Sequence, residues 1–533
     1  MAYCPPPGAI LPPPIETSDA TTFSIPASTF ANFTSKADTS FAIKASIGGT
    51  QVFQHEYSAP DYEVAQSLHE TKMRLGSGSK LFTVLALELS RDKINWDDPI
   101  TNYLPKLDAA AYGQVTVAAL ANHMSGLGRF GYTGDLGTVP NFNPALLGMP
   151  PVTNTLPNCD PYPGGRVCTR PEVYAMFNHA AYYPRSPCSG PMYSNVAYSL
   201  LGMALSAVHG KPFEQLIADL IFTPLSMAKS TYETPPADGS ALLPKNDDAW
   251  ACYAADFGNH NPTGGIWTTP SEMLHFLNSL LTHKLLSPAR TRSWMQPRAV
   301  LPSLHQLVGA PWEIFRPADF TLAFPRPIDM YTKLGGMPGY TSWSILIPEF
   351  DLAVTMHVGG ANAQAAIVAL MPLVVRPLVA HADALARRQA RAKYAGTYRD
   401  AQNADNTLTI ALDDAEAGCG APGLRITHFS INGVLVLKAL AALQKISPAD
   451  NLSAGLYPTD PDSLGTGKET FRMLLDRARH GEAQMADFER GSWNWGDPFR
   501  YVREPVDGFE FAVEGGVVKS LDLRGWRTVL VKV

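Results

Sequence analysis

The stretch Arg74-Leu75-Gly76-Ser77-Gly78-Ser79-Lys80 runs straight into Leu81-Phe82-Thr83-Val84-Leu85-Ala86-Leu87-Glu88-Leu89. The second part is a long apolar run without Gly or Pro and reads as a buried helix. The small residues ahead of it place Ser77 near the first turn. Lys80 is three residues on, so the two side chains share a helical face, about 5–6 Å apart at Cβ. An alcohol nucleophile needs such a neighbour. A serine hydroxyl is unreactive at neutral pH until a base takes its proton, and a lysine serves as that base when burial lowers its pKa. The start of a helix also offers free backbone N–H groups to an oxyanion.

The plain alternative is that Ser77 caps a core helix while Lys80 is solvated. The pattern S-x-x-K is short, and the chain carries a second copy, Ser226-Met227-Ala228-Lys229. That copy follows Pro224-Leu225 with no long apolar helix behind it, and reads as a turn. The local pattern does not separate catalysis from capping, so the decision rests on the rest of the chain.

The chain has 533 residues, 45% apolar and 10% aromatic, enough for more than one core. Its net charge of -6 offers no basic surface to nucleic acid. No run of eighteen apolar residues appears, so no membrane span is expected. The Pro-rich start, to about Pro26, lacks the charged and apolar regions of a signal peptide and reads as an extended strap over residues 1–29.

Of six cysteines, Cys159, Cys168 and Cys188 lie together in a Pro/Gly-rich loop, which suits disulfides; Cys4, Cys252 and Cys419 are scattered. Sequons at Asn32 and Asn451 point the same way. The missing signal peptide argues instead for the cytosol, and a mature or truncated secreted chain would reconcile the two; the cytosol is favoured. With no C-x-x-C or H-E-x-x-H and scattered histidines, no metal and no cofactor is expected.

Phe41–Ile47 and Gln51–Tyr57, split by Gly48-Gly49-Thr50, read as a β-hairpin. Thr116–His123 reads as a short helix ending at Ser125-Gly126. Residues 126–190 form a long Gly/Pro/Asn-rich loop, the kind that walls a binding site. Its Gly126-Leu127-Gly128-Arg129-Phe130-Gly131 matches G-x-G-x-x-G, but it follows a helix and no helix follows it, which excludes a dinucleotide site.

Tyr193-Ser194-Asn195 then opens another apolar helix, and the plain reading is a buried tyrosine with a capping Asn. Lys333-Leu334-Gly335-Gly336-Met337-Pro338-Gly339-Tyr340 leads into apolar strands. A lysine before an edge strand, with no side chain at Gly335, would let a substrate backbone lie against that strand; the plain reading is a glycine-rich hairpin. Ala363–Lys393 reads as a helix or two, interrupted by Pro372 and Pro377, with a solvated basic end. From Tyr394 the pattern becomes short alternating strands, with hairpin turns at Asn432-Gly433 and Gly515-Gly516, so 394–533 is expected to be a separate β-rich domain after a 30–393 domain.

Ser77-x-x-Lys80, Tyr193-x-Asn195 and Lys333-x-Gly335, in that order, resemble the serine β-lactamase and penicillin-binding-protein superfamily, over about residues 30–385. The tyrosine form of the middle motif is similar to the class C branch, which also holds esterases, D-amino-acid peptidases and acyltransferases. The Cys-containing loop and C-terminal β-domain look like a fungal subgroup. The resemblance implies an α/β (α+β), β-lactamase/transpeptidase-like fold: an antiparallel sheet flanked by helices, an all-helical subdomain, and the C-terminal all-β domain.

It implies Ser77 as nucleophile, Lys80 as its base, Tyr193 as proton donor and activator of deacylation, and Lys333 holding the pKa of Tyr193 down. Asn195 would contact Lys80 and substrate, and the N–H groups of Ser77 and Gly336 would form the oxyanion hole. Leu334 stands where the antibiotic-hydrolysing members usually have Thr or Ser, and Met337, Tyr340 and Trp343 add apolar material expected, with Leu334 and Gly335, to bind an acyl chain; the plain alternative is that Leu334 points into the core and leaves the pocket untouched. The leading expectation is a serine hydrolase or acyltransferase acting on an ester, thioester or amide, with a small-molecule acyl substrate of secondary metabolism or a carrier-bound thioester. A true β-lactamase or D-peptidase, and a silent binding protein on the same fold, are the alternatives.

Overall fold

A computed structural model of the chain describes residues 8–16, 23–35, 38–60, 62, 66–138, 142–152, 156–157, 159, 166–243, 253–413, 422–443, 452–477 and 497–533. Apolar alternation builds an antiparallel sheet from β1 (Thr39–Ile47), β2 (Thr50–Tyr57), β3 (Ala299–Val300), β4 (Gln306–Val308), β5 (Glu313–Phe315), β6 (Met330–Met337), β7 (Tyr340–Ile347) and β8 (Leu352–Gly360). Their order is β2-β1-β8-β7-β6-β5-β4-β3. Gly48 and Gly49, both at positive φ, make the hairpin turn between β1 and β2. One face of the sheet packs on a large helical core that contains α1 (Ser79–Leu89), α2 (Val196–His209) and α3 (Pro270–Leu281). The other face packs on α4 (Ala363–Tyr394).

Several expectations change on contact with the structure. α4 is one helix of 32 residues despite Pro372 and Pro377. The carbonyls those prolines cannot reach, four residues back, belong to Val368 and Leu373, which are among the exposed positions of the helix. Water therefore replaces the lost bonds, while the buried stripe through Ile367, Leu370, Val374 and Leu378 holds the helix against the sheet. Length and composition alone would let α4 cross a membrane, but that stripe makes it a core helix of the fold. Its basic end is solvated only in part: Arg388 and Arg391 are exposed, but Arg387 is buried. Arg387 donates to Asp413 O and to Pro422 O, Arg391 to Leu412 O, and Lys393 to Glu469, all in the C-terminal region.

That region is a meander of β9 (Gly396–Arg399), β10 (Thr407–Leu412), β11 (Leu424–Ile431), β12 (Val434–Leu435), β13 (Leu452–Pro458), β14 (Lys468–Arg477), β15 (Gly508–Glu514), β16 (Val517–Leu523) and β17 (Thr528–Lys532). The ladder runs β10-β9-β17-β16-β15-β14-β13-β11, and β10 also pairs with β11, so eight strands close into a barrel with β12 attached to β11. Closure removes the free edges an open sheet would expose. After Asn432-Gly433 the return strand is only two residues long, and Val436–Leu443 is a helix rather than a strand. Ile10 and Leu11 of the N-terminal segment are buried in the barrel's core, and Ile15 exchanges two hydrogen bonds with the Gln389 side chain on α4.

The segment 126–190 is not structureless. Arg170–Phe177 is a helix with a Thr169/Glu172 capping box, and Cys159 is bonded to Cys168. Cys188 is an exposed free thiol; Cys4, Cys252 and Cys419 lie outside the described residues, as does Asn451.

Candidate active site

Ser77 sits in a single 3-10 turn, Gly76–Gly78, that feeds α1. It is half-buried in a run that is otherwise buried from Thr71 to Leu87. Two contacts explain the glycines. Gly76 has φ +56°, and a Cβ there would come within 2.8 Å of Gly336 N. A Cβ on Gly335 would lie 2.0 Å from Leu75 O. Strand β6 thus approaches the Ser77 turn backbone to backbone, and no side chain fits between them. Ser342 Oγ donates to Leu75 O at 2.7 Å and Leu75 N to Ile266 O at 2.9 Å, which fixes the turn from both sides.

Lys80 is fully buried, and Ser77 makes no helix-capping bond, so the plain reading of this motif does not hold. Lys80 Nζ donates to Ser77 Oγ at 3.1 Å, Asn195 Oδ1 at 2.7 Å and Thr263 O at 2.8 Å. Burial pulls its pKa down to about 8, helped by the charge of Lys333 and opposed by Tyr193 and Glu313. Asn195 stands at the N-cap of α2 but its side chain caps nothing, since Oδ1 is committed to Lys80; Ser194 Oγ accepts from Ala197 N instead.

Tyr193 shares its ring with three cations: Lys80 Nζ and Lys333 Nζ are each 5.1 Å from the ring centre, and Arg129 Cζ is 5.0 Å from it. Burial pushes the phenol up, but Lys333 and Lys80, with a hydrogen bond from Ser77, outweigh it and bring the pKa down to about 8. Lys333 stays protonated: burial works against its charge, but the Glu313 carboxylate at 2.5 Å and Tyr193 together raise its pKa. The same carboxylate accepts from Leu334 N at 2.9 Å, so one side chain fixes both the lysine and its strand.

Glu313 escaped the motif reading, as did Thr263 O and His123. The His123 ring lies 4.5 Å from that of Tyr193, and its Nδ1 accepts from Ser194 N at 3.2 Å. Burial, then the nearby cations, keeps it neutral, which puts its proton on a buried Nε2.

The expected acyl-binding set divides. Lys333 lies inside β6, whose pairing with β5 covers only Met330, Tyr331 and Thr332; from Lys333 to Met337 no strand pairs on that side. Gly335 and Gly336 stand there against the Ser77 turn. Leu334 pairs across the sheet with Trp343, and both pack into the core under α4, on the face opposite Lys333. Strand parity puts them there, and neither lines the site. Tyr340 is also removed from it: fully buried, it packs edge-on to Trp267 and donates to Leu242 O. Met337 packs partly buried beside Tyr340.

The two ends of the 126–190 segment wrap Tyr193. Arg185 N donates to Gly126 O, Cys188 N to Met124 O, Met192 N to His123 O, and Asn195 N to Arg129 O.

A family model described as beta-lactamase matches residues 47–371. The chain belongs to the beta-lactamase family. A second model, described as the beta-lactamase-like-like C-terminal domain, matches residues 386–533. A beta-lactamase-like protein of Arthroderma benhamiae is 26% identical, over 87% of this chain and 81% of its own. A probable hydrolase, M10, of a Phoma species is 29% identical, over 87% and 78%. Among solved structures, the D-amino acid amidase of Ochrobactrum anthropi SV3 aligns with 22% identity and a TM-score of 0.48, over 67% of this chain and 97% of that one.

Proposed function

We propose that this β-lactamase-family protein is a serine hydrolase or acyltransferase that passes through an acyl-Ser77 intermediate. The observation that carries this is the buried Lys80 ammonium, held between Ser77 Oγ and Asn195 Oδ1 with its pKa lowered to about 8. In its neutral form Lys80 takes the Ser77 proton as Oγ attacks the substrate carbonyl. The oxyanion that forms is assigned to the N–H groups of Ser77 and Gly336, on the two backbones that touch at Gly76. Tyr193, poised near neutrality, returns a proton to the leaving group and then activates water or an acceptor alcohol.

The fungal relative named a probable hydrolase supports hydrolysis as the coarse reaction. Esters and thioesters are the substrates to test first within it, the absence of a hydroxyl at position 334 carrying no weight because that side chain faces away from Lys333. The turn of Leu334 into the core also removes an apolar wall at this position. The test is a fluorophosphonate label followed by intact mass, then turnover of p-nitrophenyl butyrate beside nitrocefin. Attachment at Ser77 with ester turnover supports the reading. Efficient nitrocefin cleavage with esters ignored would replace it by a true β-lactamase, and no labelling at all by a silent binding protein.

A further inference from the structure

Arg129 is the cation at this site that the proposed chemistry does not use. It is exposed, on the segment just before Phe130, and its own carbonyl accepts from Asn195 N at 2.9 Å. Its backbone is therefore tied to the residue that holds Lys80. Its guanidinium lies over two rings, 5.0 Å from the centre of Tyr193 and 5.5 Å from that of Phe130. Many arginines of this chain reach a carboxylate: Arg91 binds Glu88, Arg166 binds Glu172, Arg292 binds Asp462 and Arg376 binds Asp319. Among the described residues, Arg129 makes no ion pair and no side-chain hydrogen bond.

A guanidinium supported by aromatic faces keeps its in-plane N–H donors free and limits its own rotation. Those donors match a carboxylate or a phosphate, two bonds at a time. The charge around it favours the same occupant. Lys333 is protonated, Lys80 titrates near neutrality, and among the described residues the one carboxylate bonded to this set, Glu313, is already spent on Lys333.

We propose that Arg129 is a specificity residue that binds an anionic group of the substrate at the mouth of the site. This rests on the acyl-Ser77 reading and narrows it: the acyl substrates carry a carboxylate on the acyl body or a phosphate on the carrier arm. A carboxylate and a phosphate would be read by the same donors, and two substrate pairs tell them apart.

The experiment compares the p-nitrophenyl half-ester of glutaric acid with p-nitrophenyl valerate, and butyryl-coenzyme A with the N-acetylcysteamine thioester of butyrate. It uses the full chain, Arg129→Met and Arg129→Lys. The readout is the anionic-to-neutral ratio of kcat/KM within each pair. The expected result is a ratio about 10- to 100-fold lower in Arg129→Met, mostly through KM, as for loss of a charge-assisted bond. Arg129→Lys should restore part of it, and added salt should shrink it in the parent protein. A fall in the first pair alone assigns a carboxylate, and in the second alone a phosphate.

If Arg129 only supports the Tyr193 ring, both members of each pair fall together; an unchanged ratio with turnover intact overturns this proposal alone. No turnover of any substrate together with an unlabelled Ser77 overturns the acyl-enzyme reading and this one with it.

Discussion

Two copies of one four-residue pattern, Ser77-Gly78-Ser79-Lys80 and Ser226-Met227-Ala228-Lys229, reach opposite ends in the same chain. The first lies where a glycine turn meets a buried helix, and its lysine has lost all contact with water. The second turns at Ser226, which has φ +57°, and its lysine is 42% exposed, paired with Glu70 on the surface. The environment, not the spacing, therefore sets the two lysines apart. Desolvation lowers the pKa of the fully buried Lys80.

The sharpest way to break this comparison is to exchange its outcomes. Ser77→Ala should lower turnover by about 10⁴–10⁶-fold and abolish the covalent adduct seen by intact mass. Ser226→Ala should leave both unchanged; a dead Ser226 variant beside an active Ser77 variant would reverse the assignment. The lysines should diverge almost as widely. Lys80→Met is expected to slow acylation nearly as much as loss of the nucleophile, measured by single-turnover labelling. Lys229→Met should cost no more than about 1 kcal/mol in urea unfolding, since exposed pairs contribute little.

Tyr193→Phe removes one oxygen and leaves the ring between its cations. Turnover should drop by about 10²–10⁴-fold while the melting temperature holds. A variant with unchanged kinetics would reduce Tyr193 to packing. The smallest effect concerns pH. Lys80 and Tyr193, both near 8, titrate as a pair. kcat/KM should rise toward pH 8 as the pair loses its first proton and fall above it as the second leaves. Glu313 raises the pKa of both groups, so Glu313→Gln should move the whole profile to lower pH. A shift to higher pH would contradict the charge arrangement described.

The parts of the site that could be read in the sequence are those whose signal is local. Ser77 and Lys80 share a helix face, Tyr193 and Asn195 precede a helix, and Gly335 and Gly336 mark a close approach. Glu313 could not be read, because only the register of β5 on β6 brings a lone glutamate to Lys333. Thr263 acts through its carbonyl, which any residue would supply. Other misses were avoidable. Strand alternation puts Leu334 opposite Lys333 and Gly335, and Thr169-Arg170-Pro171-Glu172 carries a capping-box pattern with an N-terminal proline. The barrel's β-character was legible from its hairpin signals, but its closure depends on β9 pairing with β17, at the two ends of the region.

The pairing of β1 with β8 bears on how the chain reaches this state. Thr39 pairs with Gly360 and Ile47 with Leu352, partners about three hundred positions apart. The hydrogen-bond partners that hold the Ser77 turn and Lys80, namely Asn195, Thr263, Ile266 and Ser342, lie inside that interval. Closing so long a segment is entropically slow, and native topology of this kind lowers folding rates by orders of magnitude. During synthesis β1 leaves the ribosome long before its partner exists. Until β8 emerges, β2 is the only neighbour in the sheet available to pair with it.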